Sequence, residues 1–210
     1  MKRQKLPAGR RMIYALFLLM LPVLAGCKEE AESWTEDRAR LEKNGQVVLC
    51  VTDDFDRDFY SIEELTGMAV EEAALFNGKN KKGEGTPVEV EEVARIEETD
   101  QKVRVIYRFA DPEAMGTFLG EPLYYETVAE AMKNKRIFQG EVLFGAEGKI
   151  TFDEEKADRF SGRHVVITNT ATKWKFPYDV LYYSEGVKLL EDGTADTTEC
   201  QFPAIIVLKR

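Results

Sequence analysis

Four residues at the end of the first apolar run have the types and spacing of a processing signal: Leu24, Ala25, Gly26 and Cys27. In such a lipobox, small residues ahead of a cysteine admit the signal peptidase and the thiol carries a diacylglycerol. The flanks agree. Lys2, Arg3, Lys5, Arg10 and Arg11 form a positively charged n-region, and the apolar stretch from Met12 to Val23 falls short of the roughly 20 residues that a spanning helix needs. Residues 1–26 are thus predicted to be a lipoprotein signal peptide, with Cys27 the lipid-bearing first residue of the mature chain. Its acyl chains would tether the protein to the outer face of the cytoplasmic membrane, each buried methylene contributing about 0.8 kcal/mol.

Other chemistry-bearing residues make weaker patterns. Asp54, Asp56 and Asp58 open like a calcium loop, whose alternate oxygens would converge on a hard cation. The rest of that pattern fails, because the sixth position is Phe59 instead of glycine and the twelfth is Leu65 instead of glutamate. A structural role suffices for these acids and for Asp53, since carboxylates ahead of a helix are favoured by its dipole.

His164 is the sole histidine, so one chain cannot supply two histidine metal ligands, and any serine or cysteine triad would have to use this residue. Ser161 and Gly162 lie nearby without a GxSxG elbow, and the expectation is an ordinary hydrogen-bonded histidine. With 38 acids in the chain, a pair suited to glycoside hydrolysis could be found anywhere and therefore identifies nothing. No catalytic residue is assigned. Cys50 and Cys200, near the first and last strands, could be oxidised to a disulfide in an exported protein, but buried free thiols packing as small hydrophobes are the expected outcome. Trp174, Phe176, Tyr178, Tyr182 and Tyr183 form an aromatic cluster, about half of which strand alternation should bury.

The elements that must position these residues follow from length and pattern. Removing residues 1–26 takes five basic residues and no acid, so the formal charge falls from −9 to −14 over the remaining 184 residues. That surface repels phosphate backbones, which argues against nucleic acid as a partner and leaves membrane contact to the lipid. The length suits one domain and disfavours a two-lobed solute receptor. Residues 27–45 are charged and read as a lipidated polar tether, with the globular domain expected over 46–210.

Within the domain, residues 46–51 read as the first strand. Ser61 and Glu64 have capping-box spacing, and Tyr60 and Leu65 the spacing of a hydrophobic staple, so a helix is predicted from Ile62 to Phe76. Leu65, Met68, Ala69, Ala73 and Phe76 form its buried stripe, and Asn77 and Gly78 its stop. Residues 88–96 and 102–109 alternate as a hairpin around Thr99 and Asp100. Asp111 and Pro112 open a short helix to Leu119, and 126–132 reads as another. Strands are predicted at 141–144, 149–152, 164–168, 180–184, 187–190 and 204–208, with 153–163 a loop. The whole is an α+β domain, mostly antiparallel, with one main amphipathic helix.

The order of these features resembles a group of small lipoproteins of Gram-positive anaerobic bacteria. The matching pieces are the acidic run into Phe59 and Tyr60, Glu63 to Leu65, Phe76 and Asn77, Val103 to Tyr107, Glu126 to Met132, Tyr182 to Val187, and Ile205 to Val207. They span most of the mature chain. The resemblance implies a lipid-anchored α+β domain, and no catalytic or binding residue comes with it. The expected function is a noncatalytic binding or assembly module of the cell envelope with an envelope protein as partner. The alternative is a hydrolase of envelope polymers, cation-dependent if the 53–58 acids bind a metal. The first predicts an exposed apolar or aromatic patch, the second a deep pocket in which acids converge. No cofactor is expected beyond the diacylglycerol on Cys27.

Overall fold

The computed structural model describes residues 31–57, 60–80, 85–97, 101–137, 139–146, 148–200 and 203–210. The signal peptide, the lipobox residues Leu24, Ala25, Gly26 and Cys27, and Asp58 of the acidic run lie outside them. The chain divides into Met1–Ser33 and Trp34–Arg210. In the first unit, Ala31–Ser33 form one 3-10 turn; the second contains all that follows.

Strands dominate, as the repeated period-two patterns require. One sheet has seven, in the order β11-β12-β9-β1-β2-β4-β3: β1 (Arg38–Leu41), β2 (Val47–Asp54), β3 (Val88–Arg95), β4 (Lys102–Phe109), β9 (Lys173–Lys175), β11 (Lys188–Leu189) and β12 (Ala195–Asp196). The other has six, in the order β5-β8-β13-β10-β6-β7: β5 (Leu123–Thr127), β6 (Val142–Gly145), β7 (Gly148–Thr151), β8 (His164–Thr168), β10 (Val180–Ser184) and β13 (Ala204–Leu208). Among the described residues, all strand pairings are antiparallel except β1 with β9. Four α-helices occur among the described residues: α1 (Ile62–Asn80), α2 (Pro112–Leu119), α3 (Val128–Lys133) and α4 (Glu154–Phe160). The α+β class and the single main helix match the sequence reading.

Alternation sorts each strand's side chains into two layers. Val47 and Leu49 of β2, with Val105, Tyr107 and Phe109 of β4, enter a central core shared with Val166, Ala204, Ile206 and Leu208 of the second sheet. Ala69 and Ala73 of α1 and Met115 of α2 join it. The opposite face of the second sheet, through Val165, Ile167, Ile205 and Val207, builds a separate core with Val128 and Ala131 of α3 and Phe160 of α4.

Several boundaries differ from expectation. The folded domain starts before residue 46: β1 falls within the expected tether and lies inside a sheet, between β2 and β9. Its Ala39 and Leu41 are buried, whereas Arg38 and Arg40 point the other way beneath Trp34, their guanidinium carbons 5.8 and 5.4 Å from its ring centroid. The strand's charge made it look like linker. The 153–163 stretch is not a loop throughout, because Asp153 caps α4 by accepting from Lys156 N at 2.9 Å, and Phe160 anchors it. Residues 126–132 contain the end of β5 as well as α3, whose start carries a reciprocal capping box between Thr127 and Glu130. Helix α1 runs past Asn77 and Gly78 to Asn80.

Candidate functional site

Strand β2 is longer than its neighbour. Its pairing with β1 ends at Cys50, so from Val51 to Asp54 only β4 accompanies it. Helix α1 begins beside this overhang, with Ser61 Oγ accepting from Glu64 N at 3.3 Å. That is half of the expected capping box, and the Ser61 hydroxyl also donates to Glu63 Oε2 at 2.7 Å.

Between overhang and helix runs a groove of about 370 Å³. Val103, Val105, Phe55 and Leu65 supply apolar lining, with Val51, Tyr60 and Met68 more exposed along it. Met68 is 61% exposed and not part of the buried stripe assigned to it. Ala69 and Ala73 carry the buried stripe, and one residue earlier on a 3.6-residue helix points about 100° away. Phe55 is fixed from three sides: its N donates to Gln101 O at 2.6 Å, Tyr60 packs at 5.1 Å, and the Arg95 guanidinium lies 4.6 Å over its ring.

Three carboxylates border this lining: Asp53, Asp54 and Glu64. None makes an ion pair among the described residues, although Lys102 is the cross-strand neighbour of Asp54. The opposite face of the same sheet is different. There Glu92 holds Arg104 by two bonds of 2.6 and 3.3 Å, Glu91 holds Arg108, and Glu42 approaches both Arg40 and Arg108. The paired charges lie on the face that Cys50 and Thr52 share, whereas Asp53 and Glu64 border the apolar groove without an ion pair among the described residues, and Asp54 stands at the end of β2 opposite Lys102.

Of the calcium-loop residues, Asp54 sits on this rim and Asp56 pairs with Arg57 at 3.4 Å. Among the described residues no three metal-ligating side chains converge. Cys50 and Cys200 are free thiols, so the possible disulfide is not formed. Cys200 lies in the central core, while Cys50 points from β2 to the paired-charge face, away from Val47 and Leu49. Burial pushes the Cys50 thiol up to about 12 and the Cys200 thiol upward. Neither is poised as a nucleophile.

His164 is half-buried and stacked between Tyr125 and Tyr178, at 4.8 and 6.4 Å between ring centroids, with Arg210 beyond Tyr178. Ser161 closes α4, its carbonyl accepting from Ala129 N. Of the aromatic cluster, Trp174 and Tyr182 are buried, and Phe176, Tyr178 and Tyr183 pack half-buried against the central core. Asp111, Glu113 and Glu126 line a second depression with Tyr124, Tyr125 and Arg136. There Asp111 is committed to capping α2 through Ala114 N, and Glu126 to Arg136 at 2.6 Å.

Comparison with family models, characterised proteins and solved structures returns no match. Among the described residues, no helix is long and apolar enough to cross a membrane.

Proposed function

We propose that this chain is a lipoprotein, anchored through Cys27 at the outer face of the cytoplasmic membrane, and that its domain is a noncatalytic binding or assembly module of the cell envelope. The lipobox at Leu24 to Cys27 and the resemblance to small lipoproteins support the location. The observation that carries the activity is the groove between β2 and α1. Water-exposed apolar side chains gathered in one concavity are a feature of binding sites, whereas scattered ones are ordinary surface.

A hydrolase reading would draw on the second depression, where three carboxylates share a lining. Two of them already hold a helix cap and an arginine, so the groove is the better-supported site.

The test places a photoreactive amino acid at Tyr60 in the full chain and crosslinks it in the native membrane. The expected result is one recurrent envelope protein, lost when Met68→Glu is added. Capture of wall-polymer fragments alone would overturn the proposal.

A further inference from the structure

We propose that the groove between β2 and α1 receives a basic peptide segment, with aliphatic side chains on the lining formed by Val103, Val105, Leu65 and Met68 and Lys or Arg beside Asp53, Asp54 and Glu64. This rests on the groove being the binding site and adds the chemistry of its occupant.

Charge complementarity selects this occupant. A carboxylate beside apolar surface gains from a cation that the partner brings into the same partly desolvated space, and such matching sets partner choice and encounter rate. Elsewhere on this sheet arginines already supply that cation. On the groove rim none does among the described residues, and Glu63, Glu71 and Glu72 on α1 add to the same field. The cations on the adjoining segments have other partners or a single acid opposite: Arg95 lies against Phe55 and donates to its carbonyl at 3.4 Å, Arg57 pairs with Asp56 at 3.4 Å, and Lys102 stands across from Asp54.

The same acids disfavour the other occupants. A second copy docked about a twofold axis would face each rim carboxylate with its own equivalents. An anionic lipid surface or a phosphate backbone would meet like charge. The groove volume, about 370 Å³, falls at the lower end of the range that accepts small ligands, and a few side chains of an extended or helical segment suit it.

The experiment uses the full-length chain in phosphatidylcholine nanodiscs and a dye-labelled hexapeptide, acetyl-Lys-Leu-Lys-Leu-Leu-Lys-amide, read by fluorescence anisotropy. Three comparison peptides replace every Lys by Ser, every Lys by Glu, or every Leu by Ser. The basic apolar peptide should bind best, and its affinity should fall as salt is raised. Combining Asp53→Asn, Asp54→Asn and Glu64→Gln should weaken it on the order of tenfold. Met68→Glu should also weaken it, since a charge then enters the apolar lining. Combining Glu155→Gln, Glu185→Gln and Glu191→Gln, which removes as much charge from exposed positions outside the groove, should leave it unchanged.

If the serine-for-lysine peptide binds the groove equally well, the basic specificity is overturned while the groove remains a binding site. If the distant neutralisations weaken binding as much as the rim ones, the attraction is diffuse and the inference is overturned. Binding of none of the peptides would overturn both the inference and the groove as a peptide-binding site.

Discussion

Asn77 holds Val88 by both of its backbone polar groups: the side-chain Nδ2 donates to Val88 O at 2.8 Å, and Val88 N donates to Asn77 Oδ1 at 3.0 Å. Strand β3 is the edge of its sheet, and the Asn77 amide supplies the two hydrogen bonds that a further strand would make there. This explains why the Asn77–Gly78 pair does not end α1. The amide is engaged across space, the backbone stays helical to Asn80, and Asn80 Nδ2 donates back to Phe76 O at 3.0 Å.

Replacing this clasp should therefore cost more than a surface change. Asn77→Ala leaves a buried N–H and a carbonyl at Val88 without partners, and urea unfolding should show a loss of about 2–3 kcal/mol. Asn77→Asp retains the acceptor but sets a carboxylate against the Val88 carbonyl, so it should rescue only part of the loss.

Two glycines predict opposite signs. A Cβ on Gly145 of β6 would lie 2.5 Å from Leu181 O and 2.7 Å from the Tyr182 ring, so Gly145→Ala should destabilise by about 1–3 kcal/mol. On α1 a Cβ at Gly67 would meet nothing within 4 Å. Gly67→Ala should stabilise by about 0.5–1 kcal/mol, through helix propensity and reduced unfolded-state entropy, as thermal melts of the two variants would show.

Cys50 sets an alkaline limit. Its thiol titrates near 9 ordinarily and near 12 when folded, because burial disfavours the thiolate. Both states are protonated below about pH 9; above it the unfolded chain ionises first, so stability falls as pH rises toward 12. Urea midpoints measured from pH 8 to 10.5 should drop less for Cys50→Ala than for the parent. Native-state labelling by iodoacetamide at pH 8 should be slow at Cys50 and rapid in urea.

The position of β1 predicts where the chain can be cut. A chain beginning at Trp34 should keep its cooperative melt. One beginning at Gln46 loses the strand between β2 and β9, exposes Val47 and Leu49, and should show no cooperative transition by circular dichroism.

What could be read in advance was whatever one local rule determines. The β3–β4 hairpin declares itself by alternation, α2 by Asp111 and Pro112, and the start of α1 by Ser61. Strand β1 did not, because alternation over Arg38, Ala39, Arg40 and Leu41 is short, and the arginines that face Trp34 dominate its composition. Helix α4 has only Ala157 and Phe160 as apolar residues, too few to set a period. The groove was hidden for a different reason. Asp53 and Asp54 look like acids preceding a helix, and Met68 looks like core; both readings change only when β2 is seen to outrun β1. Pairing register is a tertiary property, and no local pattern in residues 47–54 encodes it.

The proposed lipid anchor at Cys27 is tested most directly by metabolic labelling with an alkyne fatty acid. The parent chain should take up the label and partition with membranes, whereas Cys27→Ser should do neither. A parent chain that stays unlabelled and is recovered from the cytosol would contradict it.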